Sequence, residues 1–294
     1  MNIIFKNMEW MLGEILLKKS IKIFLLLLGM IVLIVGLLIA NAMFGNPFSK
    51  AMAKGTAQKY IAENYGDTDY AVYDVHYNFK DGYYHARIIS PTSIDTHFDV
   101  RISYNKVVND SFEEDVLTGW NTWQRVDDEY RNMVDEVFKA DDFPLRSNID
   151  FGEIVFIDEY SSGGLDEANY GMKLAEFELD KIYDVKELAK TSGHIVYYAE
   201  DEEVSFTKAS ELLLILKEEL DQAGIPFYAI DFNLEKPRTD DGVVQDDEFT
   251  IHTMNFLYGD IYEDGLVERI ETAHTELMEY YDELDAQMEK EEEN

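Results

Sequence analysis

The chain has 294 residues, with 25 Lys and Arg against 60 Asp and Glu, 46% hydrophobic residues, 17 Gly, 5 Pro and no Cys. Disorder, collagen and a disulfide scaffold are excluded by that composition, and no metal site or nucleophile can use a thiol. A net charge of −35 repels nucleic acid and anionic lipid or wall polymer, so neither is an expected partner.

The apolar residues are unevenly spread. Ile23 to Ala40 is a run without a charge or a hydrogen-bonding side chain, and extending it to Phe44 adds only Asn41. As a helix, residues 23–44 span about 33 Å, enough to cross a hydrocarbon core. A helix is also the one single-segment solution there, because each unpaired backbone amide in lipid costs several kcal/mol. Gly45 with Asn46-Pro47 ends it. A cleaved secretory leader is the rival reading, with Ala40-Asn41-Ala42 as its small-residue site. The run is too long for a signal core, and an uncleaved anchor is the expectation. Lys18, Lys19 and Lys22 sit close to the span, against Lys50, Lys54 and Lys59 farther away on the other side. That closeness orients residues 1–22 to the cytoplasm and the remainder outside. Four of the basic and two of the acidic residues precede Gly45, which leaves 21 against 58 in the exterior part.

Asn46 caps a helix that starts at Pro47 and ends near Tyr65, its apolar stripe approximated by Phe48, Met52, Ala57, Tyr60 and Ile61. Two alternating runs follow, 69–79 and 83–90, joined through Asp81-Gly82, a two-residue hairpin signal. This turn sets Phe79 opposite Tyr84, Tyr77 opposite Ala86 and Val75 opposite Ile88. On the other face it sets His76 opposite Arg87 and Asn78 opposite His85. A third strand, 97–104, points Phe98, Val100, Ile102 and Tyr104 inward. A helix over 113–140, weakened at Gly119, would cover this sheet with Val116, Trp120, Trp123, Tyr130, Val134, Val137 and Phe138.

From Ser147 the chain reads as strands at 152–158 and 171–182, a helix at 184–192 and a strand at 194–200. A helix then runs from Ser205, carrying Ala209, Leu212, Leu213, Leu216 and Leu220, and stops at Gly224. Strands at 226–235 and 247–258 pair around an acidic loop, and a helix over 266–289 packs on its own domain, self-association through that helix being the lesser alternative. The fold class is therefore α+β: segment 1–22, a transmembrane helix 23–44, a first domain 46–145 (α-β-β-β-α) and a second 146–294 (a β-α-β-β-α core with extra strands), both with antiparallel sheets covered by helices.

Motifs for chemistry are few. No Gly-rich phosphate loop, G-x-S-x-G elbow, H-E-x-x-H or calcium-loop spacing occurs. The candidate constellation is the outward face of the first sheet, where His76, His85 and His97 stand with Asp74, Asp99, Arg87 and Arg101. Imidazoles and carboxylates suit a borderline metal, but two guanidinium groups oppose a divalent ion unless each is paired with an aspartate. The simpler reading is a solvated sheet face. Asp158 and Glu159 are adjacent on a strand and point to opposite faces, so they do not form a glycosidase pair. His194, His252 and His274 have no readable partner.

The segments Gly45-Asn46-Pro47-Phe48, Tyr60-Ile61, Asn64-Tyr65, Tyr73-x-Val75-x-Tyr77-Asn78-Phe79-Lys80-Asp81-Gly82-x-Tyr84-x-Ala86, Ser90-Pro91 and Asp95-Thr96-x-Phe98 resemble the YfjL-like proteins. The likeness covers residues 45–104 best. It implies a bacterial membrane-anchored envelope protein and supplies no catalytic residue. The expected function is thus a single-pass anchored, non-catalytic module that binds an envelope protein or peptide, without catalytic residues, cofactor or resident metal. The alternative is an envelope hydrolase or metal-dependent enzyme whose site the sequence does not display.

Overall fold

The computed structural model of the chain describes residues 2–157, 164, 165, 167–238 and 249–292. It contains two compact units, Met1–Thr92 with His97–Phe112, and Ser93–Thr96 with Glu113–Asn294.

The first unit begins with α1 (Asn2–Phe44), 43 residues of unbroken helix. An 18-residue window within it reaches a mean hydropathy of 3.3, and none of that window is buried in the protein. Gly45 ends α1 with φ +64°, and a side chain there would bring its Cβ within 2.5 Å of the Tyr84 hydroxyl. Only glycine meets both demands. Asn46 then caps α2 (Pro47–Asn64) by accepting the Ser49 N–H at 2.8 Å, with Pro47 in the first turn. The Asn46 N–H donates to the Tyr84 hydroxyl at 3.0 Å, and that hydroxyl donates to the Asn46 carbonyl at 3.3 Å. The helix-to-helix joint is therefore tied to the sheet.

That sheet has the order β1-β2-β3-β4, from β1 (Ala71–Asn78), β2 (Tyr83–Ile89), β3 (His97–Ser103) and β4 (Lys106–Asp110), all antiparallel. Val75, Ala86, Ile88, Phe98, Val100 and Ile102 are buried on its inner face. The cover is α2, through Ala53, Ala57 and Ile61. Small residues on that stripe let the helix sit close, whereas Phe48 and Met52, predicted to face inward, are exposed. At the edge, Tyr60 and Tyr65 both donate to Asp110, at 2.5 and 3.0 Å. Burial and that carboxylate together push the Tyr60 phenol up to about 12.

Three sequence expectations change here. The hairpin loop holds four residues, Phe79 to Gly82, closed by the Gly82 N–H on the Asn78 carbonyl at 2.8 Å. The register is therefore Tyr77 opposite Tyr84, Val75 opposite Ala86 and His76 opposite His85. A two-residue slip keeps every side chain on its predicted face while changing its partner. Tyr104 is not inward: with Asn105 it forms a turn, both at positive φ, and it is almost wholly exposed. The turn starts β4, a strand the sequence pattern did not reveal. Finally, the helix predicted to cover this sheet belongs to the second unit.

There, Glu113–Leu117 is a π-helical turn, and Gly119 at φ +87° breaks the helix before α3 (Trp120–Phe138). Val126, Tyr130, Val134 and Phe138 of α3 are buried against β5 (Ser147–Ile154) and the core behind it. The division expected after 145 thus lies near Phe112. After β5 come the short parallel pair β6 (Phe156–Ile157) and β7 (Met172–Lys173), then α4 (Val185–Ser192), β8 (Gly193–Glu200), α5 (Phe206–Ala223), β9 (Ala229–Glu235), β10 (Ile251–Leu257) and α6 (Leu266–Glu292). The strand predicted over 171–182 shrinks to β7; a 3-10 turn and irregular chain follow it.

The main sheet has the order β10-β9-β8-β5. It is mixed rather than wholly antiparallel, because α5 carries the chain from β8 to a parallel β9. Ala209, Leu213, Leu216 and Leu220 of α5 meet Ile195, Tyr197, Ile230 and Phe232 in the core. Leu266, Ile270 and Leu277 bury the first part of α6, which packs on β10 and α5. A buried ion pair fastens this unit internally. Arg125 donates to Asp95 through Nε at 2.6 Å and Nη2 at 3.0 Å, while Thr122 and the Asp180 N–H also donate to that carboxylate. Burial alone would raise the Asp95 carboxyl, but these donors hold it below its ordinary range.

Candidate functional site

The histidine face of the first sheet does not assemble into one site. His76 and His85, brought opposite by the shifted register, stack with ring centroids 5.5 Å apart at 18°. His85 Nε2 lies 2.8 Å from Asp81, a residue of the hairpin loop. His97 Nδ1 meets the Arg87 guanidinium, which also lies 3.6 Å from Asp99, and Asp74 pairs with Lys50 at 3.3 Å. Two of the carboxylates that a metal would need are thus already beside cations. Among the described residues, no group of three or more His, Asp or Glu side chains is placed to hold a metal ion. Asp158, Glu159 and the loop 239–248 lie outside the described residues.

A different cluster lies in the second unit. Ile154, Ile195 and Ile230 are wholly buried on the helix-covered side of the sheet. Strand alternation therefore turns their neighbours Glu153, His194 and Asp231 to the opposite face. Glu153 and His194 are direct partners across β5 and β8. His194 Nε2 lies 3.4 Å from Asp231 Oδ1, and its Nδ1 makes a close hydrogen bond with the Tyr170 hydroxyl. That hydroxyl lies 3.2 Å from Asn255 Oδ1, and the Asn255 N–H donates to Asp231 at 2.7 Å. Asn255 stands at φ +52° in a bulge of β10, a conformation Asn tolerates better than most residues. The bulge aims its backbone N–H at Asp231.

Glu153, His194, Asp231 and Asn255 line a cavity of about 290 Å³ with Trp123, Ile154, Val155, Phe156 and Ala168 as its apolar walls. Trp123 is fixed by donating its indole N–H to the Ile154 carbonyl at 2.6 Å and by edge contact with Phe156, centroids 4.8 Å apart. Behind the cavity, Asp127 accepts the Ile154 N–H at 2.7 Å and lies 3.6 Å from Arg131, whose guanidinium also covers the Phe151 ring.

Electrostatically the cavity is an acceptor. Burial pushes the Glu153 carboxyl up, only partly offset by His194. Burial likewise raises Asp127 and the Tyr170 phenol. His194 Nδ1 is hydrogen-bonded to Tyr170 and its Nε2 faces Asp231 at 3.4 Å, so the ring bridges the two segments and holds the cluster together. The same sheet face continues through Asn233 and Glu235, both buried, with Asn233 bonded to His252 and Glu235 to Asn148. Burial first, and then the neighbouring His274, depress His252 below its ordinary value.

The sequence reading left His194 without a partner and did not single out Glu153, Tyr170, Asp231 or Asn255. One signal was present: in Ala229-Ile-Asp-Phe-Asn-Leu-Glu235 every second residue is polar within an apolar strand. That pattern gives a sheet one greasy face and one polar face, but not the polar face's burial.

Fold and site together define a class: a long apolar N-terminal helix joined to two α+β units, the second holding a hydrogen-bonded polar cavity. The YfjL-like N-terminal domain matches residues 18–115 and the YfjL-like C-terminal domain matches residues 129–271. The chain belongs to the YfjL-like family. The likeness, best in the sequence over residues 45–104 and looser elsewhere, thus takes in both units. No curated protein matches the chain, and no solved structure matches it.

Proposed function

We propose that the chain is a single-pass membrane protein of the bacterial cell envelope, with residues 1–22 in the cytoplasm and both folded units outside, and that it binds a protein or peptide partner without bond chemistry. The observation that carries this reading is α1: residues 21–44 are exposed along their whole length, although their composition belongs in hydrocarbon. Exposed Phe48 and Met52, one turn apart on α2 and flanked by Lys50 and Lys54, suit the lipid interface just beyond the span. The binding role is supported by the cavity of the second unit, where the Glu153 carboxylate stands with the aromatic wall of Trp123 and Phe156.

Because the chain lacks cysteine, single introduced thiols report topology cleanly. Tyr104→Cys, at an almost fully exposed turn, is expected to react with a membrane-impermeant maleimide in intact cells, and Asn7→Cys only after lysis. Labelling of Asn7→Cys alone in intact cells, or release of the protein by alkaline carbonate, would overturn the reading.

A further inference from the structure

We infer that the cavity bounded by Glu153, Asp231, Trp123 and Phe156 binds a primary ammonium on a short alkyl stem, such as a lysine side chain or a free alkylamine. Donor and acceptor bookkeeping carries the inference. The Trp123 indole N–H is spent on the Ile154 carbonyl, and one of the two Asn255 side-chain N–H donors on the Leu165 carbonyl at 3.2 Å. The Val155 N–H is spent on Ser192 at 2.8 Å and the Ile154 N–H on Asp127. His194 Nδ1 is hydrogen-bonded to Tyr170, and its Nε2 already faces Asp231 at 3.4 Å. The Glu153 carboxylate lines the same space and receives no hydrogen bond from any described residue, while Asp231 has its second oxygen in reserve.

A cavity with most of its N–H groups committed and a carboxylate still open favours a ligand that donates. A half-buried carboxylate further favours a donor that brings positive charge, because the lone anion is costly where water is scarce. The nearby cation cannot serve, since Arg131 is held on Asp127 and over the Phe151 ring. The aromatic wall of Trp123 and Phe156 suits both the methylene stem and the charge. A bare divalent ion fits poorly, as no set of three ligating side chains converges among the described residues.

This deepens the binding reading above, and its failure is distinguishable, because the thiol-labelling topology stands or falls independently. The test is calorimetric titration of the full chain in nanodiscs with n-butylammonium, with acetyl-Gly-Lys-Gly-amide, and with n-butanol as the uncharged control. Saturable binding of butylammonium without binding of butanol is expected. Glu153→Gln should weaken it on the order of tenfold or more, as expected for a charge-assisted hydrogen bond. Ala168→Leu, which fills the cavity without altering its charge, should abolish it. Binding of the blocked lysine peptide assigns a peptide ligand; binding of the free amine alone supports the cavity assignment and contradicts the peptide partner. Equal binding of butanol, absence of saturable binding, or unchanged affinity in both variants while their melting transitions stay cooperative would overturn the inference.

Discussion

The polar faces of the two sheets use the same residue types and behave differently. On the first sheet His76 is exposed, and His85, Arg87 and Asp99 are partly exposed, pairing locally, ring on ring or charge on charge. On the second sheet Glu153, His194 and Asp231 line one cavity, where Tyr170 and Asn255 hold His194 and Asp231 while Glu153 has no hydrogen-bond donor among the described residues. The difference is burial. Water satisfies an exposed polar group whatever its neighbours do, whereas a buried one must find partners or carry a cost of roughly 1–3 kcal/mol.

The contrast can be broken most forcefully at the ion pairs. Arg125→Ala strands the buried Asp95 carboxylate and should cost about 3–5 kcal/mol in urea denaturation. Lys50→Ala, removing an exposed pair with Asp74, should leave the urea midpoint almost unchanged. Equal effects would show that burial does not divide the two regions. Next in size, Tyr170→Phe removes a hydroxyl shared between His194 and Asn255 and should cost about 1–2 kcal/mol, against about 0.5 kcal/mol or less for His76→Ala.

Glu153→Gln acts in the opposite direction. Its folded carboxyl is raised, so the folded state holds the proton longer than the unfolded chain does, and stability declines as pH rises from about 4.5 through the folded value. The glutamine variant should therefore melt higher at pH 7.5, by about 2–4 °C, with the gain vanishing near pH 4. The smallest effect concerns His252, which is depressed. Its unfolded form takes up a proton first, so stability should fall as pH drops below about 6.5, by at most about 1.4 kcal/mol per pH unit. His252→Gln should flatten that slope in pH-dependent urea melts.

Much of the architecture was legible in the sequence because it is written in local patterns. The charge-free run gave the part of α1 from residue 23 on, though not residues 2–22 that precede it in the same helix, Asn46-Pro47 gave the start of α2, and alternation gave the faces of β1 to β3. The hairpin register was not legible, since Asp81-Gly82 serves a four-residue loop as readily as a two-residue one, and an even slip leaves the hydrophobic pattern intact. Tyr104 was misplaced because the alternation continues smoothly into a turn. The stripe on α3 correctly predicts that Tyr130 and Val134 are covered, but an apolar face does not name the sheet it meets. The cavity was hidden for a related reason. Glu153, Tyr170, His194, Asp231 and Asn255 come from separate segments, and only the strand order places them together.

The most direct test of this contrast is a carbon-13 carboxyl titration of Glu153 by NMR, in the full chain in nanodiscs, without and with n-butylammonium. A midpoint above the ordinary 4.5 is expected in the free protein, falling when the amine is added, because an ammonium stabilises the charged form. A midpoint at the ordinary value, unmoved by the amine, would contradict it.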